Sequence, residues 1–139
     1  MSSRQHDGRP SLLGHAAAVL AACLVAGCGR AGSPPLGIVS GVVTLDGVPL
    51  PDATVLFTPL GPGRTSRGCT DAAGRYELSY LRELRGANVD RHVVRITTAS
   101  EDRRGPERLP PRYHVRTELE ATVVAGVNRL DFPLQSRDR

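Results

Sequence analysis

"GIVSGVVTLDGVPLPDATVLFTP", residues 37–59, is the stretch that decides the fold. In both halves small or apolar residues occupy every second position, which is the period of a half-buried β-strand. The residues that share one face are Val39, Gly41, Val43 and Leu45 in the first half, and Ala53, Val55 and Phe57 in the second. Asp46-Gly47 between the halves is a hairpin signal, and Pro51 and Pro59 bracket the second run, as expected at strand ends. The stretch therefore predicts two neighbouring strands.

Five more short strands are predicted downstream. "CTDAAGRYELSY" is typical of a strand, a tight turn and a second strand, with Asp71 accepting backbone N–H bonds and Gly74 adopting positive φ. "HVVRITT", "TELEATVV" and "RLDFPL" supply the other three. Residues 61–68 are expected to form a loop, residues 81–91 a helical turn or a plain loop, and residues 99–111 a long charged loop. The pattern predicts an all-β fold, a seven-stranded antiparallel β-sandwich.

Two motifs resemble those of the carboxypeptidase regulatory-like domain, a prealbumin-like (transthyretin-like) sandwich. The matching residues are Gly41, Val43, Gly47, Pro49, Leu50, Ala53 and Val55, then Thr70, Asp71, Gly74 and Tyr76. "LPPRY" and "NRLDFPL" look like the version found in many small bacterial lipoproteins, and the resemblance covers residues 37–134. It implies a fold but no reaction, because the chain lacks both the Tyr-Arg-Gly-Ser end of the hydroxyisourate hydrolases and a zinc carboxypeptidase domain.

The N-terminal residues are typical of an export signal. Arg4 and Arg9 precede an apolar run at residues 12–27, which has the pattern of a signal peptide and is too short to span a bilayer. "VAGC", residues 25–28, resembles the bacterial lipobox, in which the cysteine is linked to diacylglycerol before cleavage. "LAAC", residues 20–23, also fits and makes Cys23 the alternative, but Cys28 leaves a fuller apolar run and is favoured.

These observations divide the chain into four parts. Residues 1–27 are the predicted lipoprotein signal peptide, and residues 28–37, rich in Gly, Ser and Pro, are a flexible tether. Residues 38–135 are the sandwich, and residues 136–139 are a polar tail. Because two or more acyl chains give a stable anchor, we expect an exported protein on the outer face of a bacterial membrane, on its periplasmic or cell-surface side.

The net charge of +4 comes entirely from arginine, since the chain has no lysine. That bias favours a GC-rich genome over an anionic partner as its cause, and no aromatic–basic interleaving indicates a nucleic-acid surface. The loop "EDRRGPERLPPRYHVR", residues 101–116, is the most basic segment. It is either a solvated, proline-stiffened loop or a docking site for an anionic surface, with candidate contacts at Arg103, Arg104, Arg108, Arg112 and Tyr113.

No catalytic centre, metal site or cofactor site is predicted. His92 and His114 are too few for the usual three or four metal ligands and are expected to be exposed or locally bonded. Cys69 is interpreted as a small buried strand residue, with an intermolecular disulfide as the alternative. The remaining acidic candidates, Asp46, Asp52, Asp71 and Asp90, lie at predicted turns, where capping is favoured over calcium binding.

The predicted function is that of a non-enzymatic, lipid-anchored cell-envelope module that acts in protein interaction or in envelope structure. Its partners would be the membrane, through a lipid on Cys28, and an unknown envelope protein or glycan, since open strand edges pair readily with other chains. The alternative is a carbohydrate-binding module, with Tyr80 and Tyr113 as the candidate rings. A cryptic hydrolase is disfavoured because no triad or metal cluster is recognisable in the sequence.

Overall fold

The computed structural model describes residue 32 and residues 34–102 and 105–137. The predicted signal peptide, Cys23, Cys28, Arg103 and Arg104 lie outside the described residues. The strands, in chain order, are β1 (Leu36–Leu45), β2 (Val48–Pro49), β3 (Thr54–Pro59), β4 (Ser66–Cys69), β5 (Arg75–Glu77), β6 (Ser79–Leu81), β7 (Leu84–Arg85), β8 (Ala87–Asn88), β9 (Arg91–Thr97), β10 (Glu120–Thr122), β11 (Gly126–Arg129) and β12 (Phe132–Leu134). A single 3-10 turn, Pro111–Tyr113, lies between β9 and β10.

Two sheets form the sandwich, so the all-β prediction is confirmed. In the first sheet, β1 pairs antiparallel with β8, β5 and β2 along its length. The same strand pairs parallel with β11 and β12. The second sheet is antiparallel throughout, in the order β10-β9-β3-β4-β6-β7. The parallel pairs were not predicted. A parallel pair needs a long crossover connection between its two strands. Here the crossover from β1 to β11 and β12 contains the strands of the second sheet.

The core lies between the sheets and follows the predicted alternation. Val39 and Val43 of β1 and Val55 and Phe57 of β3 are fully buried, because successive strand residues point to opposite faces. Phe132 of the first sheet meets Phe57 of the second edge-to-face, with 6.0 Å between ring centroids. Such a pair adds about 0.5–1.5 kcal/mol to the burial of the rings, and it fixes the two sheets against each other.

Both predicted turns are confirmed. Asp46 and Gly47 have φ of 52° and 82°, as a two-residue hairpin requires, and they join β1 to β2. In the second turn the Asp71 carboxylate accepts the N–H groups of Ala73 and Arg75, each at 2.9 Å. Gly74 has φ of 74° there. Turn chemistry is local, so the sequence alone was sufficient for both.

The element boundaries differ from prediction in four places. β1 begins at Leu36, inside the predicted tether, and β4 begins at Ser66, inside a predicted loop. Residues 81–91 hold β7 and β8 and no helical turn, because pairing of β7 with β6 satisfies that backbone. The strand predicted at residues 117–124 is reduced to β10, since only these three residues pair with β9.

Candidate functional site

Two arginines of the basic loop, Arg108 and Arg112, bond the protein's own backbone. The Arg108 guanidinium donates to the Pro51 carbonyl at 3.3 Å. Arg112 donates to the carbonyls of Gln135 and Arg137 at 2.8 Å and 3.0 Å. These contacts attach the loop to the segment between β2 and β3 and to the residues that follow β12. The two positive charges therefore stabilise the fold.

Tyr113 belongs to the core. Its side chain is only 8% exposed, and its hydroxyl accepts the Gln135 N–H at 3.0 Å. The Arg112 guanidinium lies 4.8 Å from the centre of the ring, within the range of a cation–π contact. The buried ring offers little open face on which a sugar could stack, and Tyr113 as a ligand contact stays a prediction.

The C-terminal residues continue the fold beyond β12. Asp46, at the β1–β2 turn, accepts the N–H of Ser136 at 3.0 Å and its hydroxyl at 2.6 Å. These two hydrogen bonds lower the pKa of the Asp46 carboxyl. Ser136, which the sequence places in a polar tail, is thus bonded to the hairpin at the end of β1.

Glu107 is the best-connected carboxylate in the described part of the chain, and sequence reasoning missed it. It accepts hydrogen bonds from the Thr97 hydroxyl, from the N–H and hydroxyl of Thr98 at 3.1 Å and 2.9 Å, and from the Leu109 N–H at 3.0 Å. Burial raises the pKa of this carboxyl, but the hydrogen bonds outweigh burial and lower the pKa to about 2. Glu107 therefore ties the end of β9 to the long loop as a carboxylate.

His92 is fully buried, beside the ring of Phe57 at 5.5 Å between centroids. Its Nε2 is 2.8 Å from the Asn88 carbonyl oxygen, so the prediction of a locally bonded histidine holds, although its burial was not foreseen. His114 is likewise locally bonded, with Nε2 at 3.0 Å from the Leu109 carbonyl. In the part of the chain that the structure describes, no three histidine, cysteine or acidic side chains cluster as metal ligands would.

Cys69 is exposed, which corrects its interpretation as a buried residue. Along β4, Ser66 and Gly68 point inward and Arg67 and Cys69 outward. The Cys69 Sγ lies 3.9 Å from the Thr54 hydroxyl oxygen. The error is one of register, because a shift of one residue moves a side chain to the opposite face of the sheet. The thiol is accessible to a second chain, so the intermolecular disulfide stays a prediction.

Exposed apolar side chains surround the first residues of β1. Ile38 lies beside Val127 in the register of β1 and β11, and the Asn128 amide donates to the carbonyls of Ile38 and Val124 at 3.1 Å and 2.8 Å. The Val89 N–H donates to the Pro35 carbonyl at 2.9 Å, at the entrance to the strand. We call Ile38, Val89, Val124 and Val127 the entry patch. All four are exposed, Val127 most of all at 79%.

A second exposed apolar pair lies at one edge of the second sheet. Leu81 of β6 and Leu84 of β7 face each other across their tight hairpin, and both are exposed. At the opposite edge, on β10, Glu120 forms an ion pair with Arg91 of β9 at 2.8 Å. Charge is a usual means of discouraging strand addition, but the edge at β7 also carries an ion pair, between Arg85 and Glu77 at 3.1 Å. What distinguishes the edge at β7 is its pair of exposed leucines.

Comparison with known proteins yields no relative: no family model, no curated protein and no solved structure matches the chain. Among the described residues, no helix is long and apolar enough to cross a bilayer. What the protein does must therefore be argued from its own residues, and the carboxypeptidase regulatory-like resemblance stays a prediction from the motifs.

Proposed function

We propose that the protein is a lipid-anchored, non-enzymatic module of the bacterial cell envelope, of the carboxypeptidase regulatory-like kind, that acts by binding another envelope protein. The proposal rests on the short distance in sequence between the lipobox-like VAGC and the first strand of the sandwich. Leu36, where β1 begins, is the eighth residue after Cys28. Fully extended, that length of chain reaches about 28 Å, so an acylated Cys28 would hold the sandwich close to the membrane surface.

The anchor is tested by two matched cysteine substitutions in the full-length chain. Cys28→Ala is expected to release the protein from the membrane fraction, because the thioether-forming sulfur is lost. Cys23→Ala is expected to leave both membrane retention and a diacylated N-terminal Cys28, as read by intact mass. Retention of the Cys28→Ala protein, or a wild-type protein without acyl mass, contradicts the proposal.

The interaction is assigned to the edge at β7, and the partner segment is an extended strand. The backbone on the outer side of a sheet edge is free to bond an added strand, and alternate side chains then supply specificity. Leu81 and Leu84 are the exposed apolar side chains that such a strand would cover. The edge at β10, whose residues are Glu-Ala-Thr and include no leucine, is the comparison site.

A photoreactive residue in place of Leu84 is expected to cross-link one discrete envelope protein in cells. The same residue in place of Glu120 is the matched control and is expected to give no such product. Leu81→Asp, combined with the probe at position 84, should abolish the cross-link by placing a charge in the covered surface. Equal cross-linking at both edges, or a product insensitive to Leu81→Asp, contradicts the assignment.

A further inference from the structure

We infer that the entry patch is a second membrane contact, which rests on the lipid surface beside the anchor and fixes the orientation of the sandwich. The inference depends on the proposed anchoring at Cys28 and adds to it a specific surface of the fold. Ile38, Val89, Val124 and Val127 would lie against the boundary between headgroups and acyl chains, while the rest of the sandwich stays in water.

The first support for this inference is that the four residues lie at the same end of β1, joined by short backbone contacts. Ile38 and Val127 are neighbours in adjacent strands, and Asn128 bonds the carbonyls of Ile38 and Val124. The Val123 N–H donates to the Asp90 carbonyl at 2.9 Å, which brings the residue after Val89 beside the residue before Val124. Exposed apolar residues gathered at one end of a fold favour a contact surface, whereas apolar residues scattered singly over the surface do not.

The second support is where the chain leaves the fold. The Pro35 carbonyl accepts the Val89 N–H, so the predicted tether meets the fold beside Val89, one of the residues of the entry patch. A flexible stretch of eight residues has a root-mean-square span of about 16 Å, and linkage of this length gives the attached group a high effective concentration. Aliphatic side chains that would bind a membrane weakly from solution are therefore held next to one.

The third support is the contrast with the other end of β1. The strand has ten residues, so its ends lie about 30 Å apart. At the far end, Val48 in the β1–β2 hairpin is also exposed, at 65%. Its register partner in β1 is the partly buried Leu45, and the Asp46 carboxylate of the same hairpin bonds Ser136. Val48 is thus an exposed apolar residue far from the entry patch and provides a control position.

The test places a fluorophore on the full-length lipidated protein. Val127→Cys and Val48→Cys are each made together with Cys69→Ser, labelled with an environment-sensitive dye and reconstituted in vesicles of phosphatidylethanolamine and phosphatidylglycerol. With doxyl-labelled phosphatidylcholine in the vesicles, the label at position 127 is expected to be quenched several-fold more than the label at position 48, and its emission to shift to the blue. Val124→Asp in the Val127→Cys protein should reduce this quenching while leaving the melting temperature unchanged.

The outcomes separate this inference from the proposed function. An acylated protein whose label at position 127 is quenched no more than that at position 48 overturns the inference and leaves the anchor standing. A disulfide between two Val127→Cys chains, with no lipid quenching, assigns the patch to a second copy and also overturns it. A protein without the acyl mass overturns the proposed function, and the inference with it.

Discussion

Gly74 and Gly47 turn the chain in the same way but in different surroundings, and the difference predicts unequal costs of substitution. Both have positive φ, 74° and 82°. A Cβ added at Gly74 would lie 2.5 Å from the Val43 carbonyl oxygen, whereas one at Gly47 would meet nothing within 4 Å. Gly47→Ala is expected to cost about 1 kcal/mol of unfolding free energy, for the backbone alone, and Gly74→Ala about 2–4 kcal/mol, because β1 or the turn must shift as well.

Urea unfolding of the two variants measures this difference directly. The slope of free energy against urea should stay the same in both, since neither change alters the surface exposed on unfolding. Equal destabilisation by the two substitutions would mean that the turn around Gly74 relaxes freely, and the close approach to Val43 would then carry no energetic weight.

At single residues, the sequence predicted what depends on neighbours along the chain. The turn roles of Asp46 and Asp71 follow from their own dipeptides and were recognised. The burial of His92 and the exposure of Cys69 depend on which face a strand presents and on what lies across the core. That information comes from residues far away in the sequence, so local alternation did not predict the burial of His92 and placed Cys69 on the wrong face.

At the scale of elements, the ionisation of Glu107 determines how acid affects the stability of the long loop after β9. Its carboxyl has a pKa lowered from the ordinary 4.5 to about 2, so the folded state favours the ionised form. The resulting stability is present above about pH 4.5 and is lost as the pH falls towards 2. Glu107→Gln is expected to cost about 1–3 kcal/mol near neutral pH, because a neutral amide accepts these hydrogen bonds less well.

The measurement is the free energy of unfolding of wild type and Glu107→Gln between neutral pH and pH 2. The gap between the two proteins should narrow as the pH falls, since protonation removes the same charge from the wild type. Glu118→Gln is the control, an exposed carboxyl in the same loop region for which no gap of this size is expected. A gap that is constant across the pH range would mean that packing, and not charge, explains the effect of the substitution.

The elements themselves divide into those that local pattern predicts and those that it does not. β1, β3 and β9 have strict alternation and central places in their sheets, and they were predicted closely. The two-residue strands β7 and β8 have no readable period, because pairing and not composition makes them strands. The contacts of the basic loop could not be predicted for the same reason, because Arg112 bonds carbonyls more than twenty positions along the chain.

At the scale of the whole molecule, the C-terminal strands complete the first sheet and the core. Phe132 and Leu134 are buried, and the Tyr76 hydroxyl donates to the Leu130 carbonyl at 2.6 Å. Burial raises the pKa of that hydroxyl, and the negative charge of Asp131 raises it further. These contacts join residues far apart in sequence, so the first sheet and the core are complete only when the last strands are in place.

Removal of β11 and β12 is therefore expected to abolish cooperative folding. A chain that ends at Ala125 leaves one side of β1 without its parallel partners and opens the core at Phe57, whose ring contact with Phe132 is lost. A chain that ends at Arg137 keeps the contacts described for the last strands and is the matched control. Thermal unfolding followed by circular dichroism should show a sharp transition for the longer chain and none for the shorter. A sharp transition in the shorter chain would mean that the second sheet and the rest of the first form a stable unit, and that the parallel pairing with β1 is an addition to the fold and not its closing step.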